Sequence, residues 1–165
     1  MCERSLEWRA ARLSWKGLAG LGRHVAPGVP DRRSALLAAY TAIQKHERTL
    51  IVKLISGLLA IPGLKFYGIS VAARFDQRVP TVAIRMDGYS PLQLAQYLAE
   101  QAIFTWDGNY FAMNLTERLG VEKHGGLLRI GLVHYNTAEE VDVLLRALQK
   151  LRDYKSIAAD SADER

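Results

Sequence analysis

The chain has 165 residues, of which 49% are hydrophobic and 24% charged, an ordinary composition for one soluble globular domain. A single cysteine, Cys2, excludes an intramolecular disulfide, and with no secretory signal visible we expect a reducing compartment, the cytoplasm. No apolar run reaches membrane-spanning length, and the net charge of +5 comes mainly from residues 1–33, so we expect neither a membrane protein nor a nucleic-acid-binding face on the folded body.

The N-terminal segment, residues 1–33, holds seven basic and three acidic side chains. Its apolar residues, such as Leu13 and Trp15, show only a loose helical spacing before glycine and prolines interrupt it. A transit peptide or a membrane-surface helix is an alternative, but Glu3 and Glu7 count against both. We interpret the segment as a basic, irregular arm.

A long helix is the first regular element that the spacing of apolar residues predicts. Asp31 or Ser34 can cap its N-terminus, and Pro62 with Gly63 ends it. The elements predicted here are a helix over residues 31–59, a strand over 64–71, a polar loop over 72–79 and a half-buried strand over 80–86.

Two capping patterns mark the helices of the second half. Ser90, Pro91 and Gln93 open one helix, and Thr137 with Glu140 forms a capping box for the last. The remaining predictions are a strand over residues 103–106, a turn over 107–109, a helix over 110–119, a polar loop over 121–126, a strand whose inner face is Leu128, Ile130 and Leu132, and a frayed polar tail over 153–165.

This order of elements predicts an α+β fold. A small, largely antiparallel sheet with helices on one face would form a two-layer sandwich over residues 34–152. Within it, Arg129 interrupts an apolar strand and points away from the buried face, so it must meet water or an anion. A guanidinium suits bidentate capture of a carboxylate or phosphate. A structural arginine paired with an acidic neighbour is the alternative, which the residues alone favour.

Four segments carry a resemblance to a known family: residues 59–68, 79–83, 106–112 and 129–142. They resemble the C-terminal small domain of class V pyridoxal-phosphate enzymes, the aminotransferase and cysteine desulfurase-like superfamily, and the likeness runs from about residue 34 to 151. It implies that Arg129 binds the carboxylate of an amino-acid substrate. The residues that could rim the same pocket are Trp106, Asp107, Asn109, Tyr110 and His134.

Two positions depart from the desulfurase pattern. Phe111 stands where a desulfurase carries its reactive cysteine, and Trp106 where a second carboxylate-binding arginine is common. A phenyl ring cannot act as a thiolate nucleophile, so the resemblance does not imply cysteine desulfurisation. The reaction class would be transamination, elimination or epimerisation at the α-carbon.

The cofactor of the family, pyridoxal 5'-phosphate, needs a lysine, an acidic partner and a phosphate cradle, which the family carries in a preceding large domain. No lysine here has a matching context; Lys123 precedes a histidine, the reverse of the family order. We therefore expect a domain that is inactive alone and binds no cofactor alone, with either a large domain or a second copy as partner. Whether the chain is itself an enzyme stays open. The histidines show no metal-ligand spacing.

A free-standing binding or self-association module that keeps the small-domain fold is the alternative function.

Overall fold

A computed structural model describes the backbone of residues 15–163 and the side chains of residues 16–154. The interpretations that concern Cys2 and Leu13 lie outside these residues. The chain divides after Glu47 into two compact units. Within the described residues, no helix is long and apolar enough to cross a membrane.

The elements follow the predicted order, with one further helix at the start. They are α1 (Trp15–Val25), α2 (Arg32–Leu59), β1 (Leu64–Tyr67), β2 (Thr81–Met86), α3 (Pro91–Glu100), β3 (Trp106–Gly108), α4 (Met113–Arg118), β4 (Leu127–Gly131) and α5 (Ala138–Asp163), with 3₁₀ turns at Ala72–Gln77 and Glu122–His124.

The first unit holds α1 and the beginning of α2. The arm predicted to be irregular is therefore helical over Trp15–Val25. The two helices approach closely at Gly22, where a Cβ atom would lie 1.7 Å from the carbonyl oxygen of Ala35. Asp31 caps α2, because its carboxylate accepts the amide hydrogen of Ser34 at 2.8 Å.

The second unit contains an open sheet in the order β1-β2-β4-β3, in which every neighbouring pair is antiparallel. The second half of α2, together with α3 and α5, contributes to one core with the inner face of this sheet. The two-layer α+β prediction is confirmed. The fully buried centre of the core consists of Leu54, Leu58, Ile84, Leu94, Leu98, Leu128, Val141 and Leu148.

Both capping boxes form as predicted. Ser90 accepts the amide of Gln93 at 3.2 Å while the Gln93 side chain accepts the amide of Ser90 at 2.8 Å. Thr137 and Glu140 exchange the equivalent bonds at 3.3 and 2.9 Å. Each box satisfies two amides that have no partner within the helix, which fixes where α3 and α5 begin.

Four boundary predictions are wrong. The strand expected over residues 103–106 is displaced to Trp106–Gly108. The helix expected from residue 110 begins only at Met113, because Tyr110 and Phe111 adopt φ angles of 54° and 62°, which cannot continue a right-handed helix. The two other differences are that β1 ends at Tyr67, before Gly68 turns to a φ of 117°, and that α5 continues to Asp163 where a frayed tail was expected.

Candidate functional site

The face of the sheet opposite the core carries Arg129. Strand register places four residues in one row across all four strands: Tyr67 pairs with Ala83, Ala83 with Arg129, and Arg129 with Trp106. Because side chains alternate along a strand, this row lies on the opposite face from Leu128. A small alanine on one side and an exposed tryptophan on the other flank the arginine.

Arg129 is exposed and stacks on an aromatic ring. Its guanidinium carbon lies 5.9 Å from the centroid of the Tyr110 ring, a cation–π distance. Among residues 16–154, no carboxylate forms an ion pair with it. The paired structural arginine considered as an alternative is therefore not what this part of the chain shows.

The Tyr110 ring beneath that guanidinium is held in place by its hydroxyl group. Its single hydroxyl hydrogen is shared between the carbonyl oxygen of Leu127 and that of Trp106, the latter at 3.0 Å, so it joins the two strands β4 and β3. Burial, helped by the charge of Asp107, raises the pKa of Tyr110, and Arg129 acts in the opposite direction. The hydroxyl thus remains a donor throughout the neutral range.

A carboxylate that sequence reasoning missed holds the loop after β3. Glu122 accepts hydrogen bonds from the Asn109 amide at 2.9 Å and from the Thr116 hydroxyl. These two bonds lower the pKa of Glu122, and the bond from Thr116 has the larger effect. The Asn109 side chain in turn accepts the amide of Phe111 at 3.2 Å, which supports the left-handed residues.

A second support comes from the turn before β4. The Arg85 guanidinium donates to the carbonyl oxygens of His124, at 3.1 Å, and of Gly126. Gly126 touches β3 so closely that a Cβ atom there would lie 2.2 Å from the Gly108 oxygen. The glycine pair at 125–126 is the sequence signal for this contact, although its composition alone predicts only a polar loop.

The structure brings together some of the predicted pocket residues and not others. Trp106 and Tyr110 flank Arg129 directly. Asn109 does not flank Arg129 but holds the loop after β3 through its hydrogen bonds. Asp107 pairs with the buried Leu128, so it lies on the opposite face of β3 from Trp106. His134 lies beyond β4, where its ring meets Tyr135 edge-on at 5.5 Å. In the described residues, no cluster of histidine, cysteine or carboxylate side chains could hold a metal ion.

The lysines of the described residues do not fit attachment of pyridoxal phosphate, because Lys53 is ion-paired and the others are exposed, namely Lys16, Lys45, Lys65, Lys123 and Lys150. That attachment requires an amine that loses its proton readily, usually through burial. Lys53 pairs with Asp142 at 2.7 Å, behind the sheet. Lys65 pairs with Asp87 at 2.8 Å, and this hydrogen bond raises its pKa, the opposite of what is needed.

Comparisons with known proteins agree on one family. The family model for aminotransferase class-V matches residues 36–144. The chain is 33% identical to an aminotransferase-like protein, FGM3, of Gibberella zeae over 67% of its length, and 31% identical to a cysteine desulfurase of Klebsiella pneumoniae over 68%. It also shares the fold of the apo cysteine desulfurase from Thermococcus onnurineus, with a TM-score of 0.62 and 24% identity over 76% of this chain.

These matches cover only part of each relative. The chain spans 27% of the Gibberella protein, 25% of the Klebsiella desulfurase and 32% of the Thermococcus chain.

Proposed function

The chain belongs to the aminotransferase class-V family, and from that premise we propose that it forms the C-terminal small domain of a pyridoxal-phosphate-dependent enzyme acting on an amino acid. The family is pyridoxal-phosphate-dependent, and the matching relatives include cysteine desulfurases. In this proposal the open face of the sheet closes over a substrate held elsewhere, and Arg129 binds its carboxylate.

The observation that carries the proposal is the state of Arg129. A mid-strand guanidinium rests on the Tyr110 ring, faces away from the core and, among residues 16–154, has no ion-paired carboxylate. An arginine that has no ion pair within the protein can pair with the anionic group of a ligand. Its position on a rigid strand fixes the direction of the two N–H donors that would bind this anion. The arginine would therefore orient the α-carbon of the substrate.

By itself, this chain is inactive in our proposal. The lysines of the described residues do not meet the chemical requirement for attaching the cofactor, so the lysine would come from another segment or chain. Phe111 also cannot replace a thiolate, which argues against sulfur transfer even in a complete enzyme. The reaction would be transamination, elimination or epimerisation.

Replacement of Arg129 tests the proposal. Propionate supplies the carboxylate alone, and its binding can be followed by NMR through the indole N–H of Trp106, which pairs across the strand with Arg129. We expect Arg129→Ala to weaken propionate binding by at least about tenfold, since a charge-assisted hydrogen bond contributes about 1.5–3 kcal/mol. Arg146→Ala, an exposed arginine on α5, is the matched control and should leave binding unchanged. Equal affinity in both variants would remove Arg129 from the role.

Self-association is the second candidate, and the exposed apolar side chains near β3 favour it. Those side chains are Phe104, Trp106, Phe111, Met113 and Leu115. Exposed apolar side chains mark an interface where they form a contiguous surface. Light scattering of the purified chain distinguishes the candidates, because a module that works by self-association should be a dimer that Trp106→Ser dissociates, and a strictly monomeric chain would contradict it.

A further inference from the structure

Phe111 is the most exposed large apolar residue in the described chain, and its backbone is unusual. It follows Tyr110 directly, and both residues have left-handed φ angles, 62° at Phe111 and 54° at Tyr110. Each left-handed residue other than glycine costs about 1 kcal/mol or more, so two in succession persist only where their surroundings hold them. An exposed ring with no specific role would not require two successive left-handed residues.

The surroundings that hold this loop are specific. The Phe111 amide is bound by Asn109, and the Asn109 amide group is bound in turn by Glu122. The backbone amide of Ala112 also bonds to the Asn109 carbonyl at 2.8 Å. These bonds hold the backbone at Phe111, while its ring remains fully exposed.

The same loop carries the ring that underlies the candidate carboxylate-binding group. Tyr110 stacks on the Arg129 guanidinium, and the Trp106 side chain, 68% exposed, stands next to Arg129 in the strand register. An anion bound here therefore sits among aromatic surfaces. A carboxylate whose remaining atoms are apolar complements both parts of this surface, because its apolar group leaves water as its charge is paired.

We infer that Phe111 is a specificity-determining residue, which makes the Arg129 site prefer amino acids with an apolar side chain, aromatic or large aliphatic. This inference rests on the proposed function. In an α-amino acid the side chain branches one carbon from the carboxylate. A substrate anchored at Arg129 thus presents its side chain beside Trp106 and Tyr110, and in this inference the ring of Phe111, the residue after Tyr110, provides the further apolar contact.

The test compares two carboxylates that differ only by a ring. Propionate and 3-phenylpropionate are titrated into the full chain, with the Trp106 indole N–H as the NMR probe. The intact chain should bind 3-phenylpropionate about tenfold more tightly than propionate, as partial burial of one ring allows. In Phe111→Ala this preference should fall to about twofold or less, while the affinity for propionate stays the same.

Three further variants secure the interpretation. Phe111→Tyr keeps a ring and should retain the preference. Phe111→Asn removes the ring but tolerates the left-handed conformation, so it should lose the preference even if the alanine variant distorts the loop. Tyr154→Ala removes an exposed ring from α5, behind the sheet, and should change nothing.

Two results would overturn the inference, and they are distinguishable. An undiminished preference in Phe111→Ala and Phe111→Asn, with propionate binding still dependent on Arg129, would remove Phe111 from specificity and leave the proposed function standing. Propionate binding that is absent or indifferent to Arg129→Ala would overturn the proposed function, and this inference would fall with it.

Discussion

At the scale of single residues, Glu122 does more for the candidate site than its half-buried position suggests. Its carboxylate links α4, through Thr116, to the loop that carries Phe111, through Asn109. Both bonds favour the charged carboxylate and lower the pKa of Glu122 below its ordinary 4.5. Since the folded pKa lies below the unfolded one, the contribution of these bonds to stability is full above pH 4.5 and is lost as the pH falls through the lowered value.

We therefore predict an acid-induced loosening of this loop that depends on Glu122. In the intact chain, the backbone amide resonances of Asn109 and Phe111 should shift together below about pH 4.5, as the carboxylate takes up a proton. Glu122→Gln should remove that transition, while Glu117→Gln, an exposed neighbour on α4, should leave it in place. An unchanged transition in Glu122→Gln would show that another group controls the loop.

The residue-level predictions from sequence succeeded where a pattern had a direct geometric meaning. Alternation along the strand placed Arg129 opposite the buried Leu128, and its exposure confirms that orientation. Its role as the carboxylate anchor stays a prediction. The contacts of Glu122 could not be predicted from the sequence, because residue types alone do not show that its side chain meets Asn109 and Thr116.

At the scale of elements, the close contact between β3 and the turn before β4 sets the geometry around Arg129. Gly126 meets the Gly108 carbonyl, and Arg85 binds the carbonyl of Gly126 itself. No side chain fits between the two backbones. The position of β3, and with it Trp106, therefore depends on a glycine in the turn.

A pair of alanine substitutions separates steric clash from backbone strain. Gly126 and Gly120 have similar φ angles of 73° and 69°, but a Cβ atom at Gly120 meets nothing within 4 Å. Gly120→Ala should cost about 1 kcal/mol in the free energy of unfolding, from the left-handed backbone alone. Gly126→Ala should cost at least about 2 kcal/mol more, because it must also push β3 away. Urea denaturation measures both, and equal losses would mean that the contact is not tight.

Element order could be predicted in full from Ser34 onwards, whereas boundaries near the site could not. Capping boxes fixed the start of α3 and α5 because both partners lie within four residues of each other. The predicted start of α4 was wrong because it depends on two left-handed residues, Tyr110 and Phe111, that local propensity disfavours. The bond of the Phe111 amide to Asn109 is local, but the bond of Asn109 to Glu122, 13 residues further along the chain, is not, and the spacing of residue types does not reveal it.

At the scale of the whole molecule, the second unit is a sheet with two different faces. Helices cover one face with a continuous apolar core, and the other presents Arg129 among aromatic side chains. The chain belongs to the aminotransferase class-V family and spans 27% and 25% of two relatives that it matches. In our account, substrate recognition lies on this chain and attachment of the cofactor does not.

Titration of the purified chain with pyridoxal phosphate, followed by borohydride reduction and mass mapping of modified lysines, tests this division of labour most directly. The account predicts low, scattered labelling over surface lysines and no change when Arg129 is replaced by alanine. Saturable modification of one lysine would contradict it, because the chain would then build a cofactor site of its own.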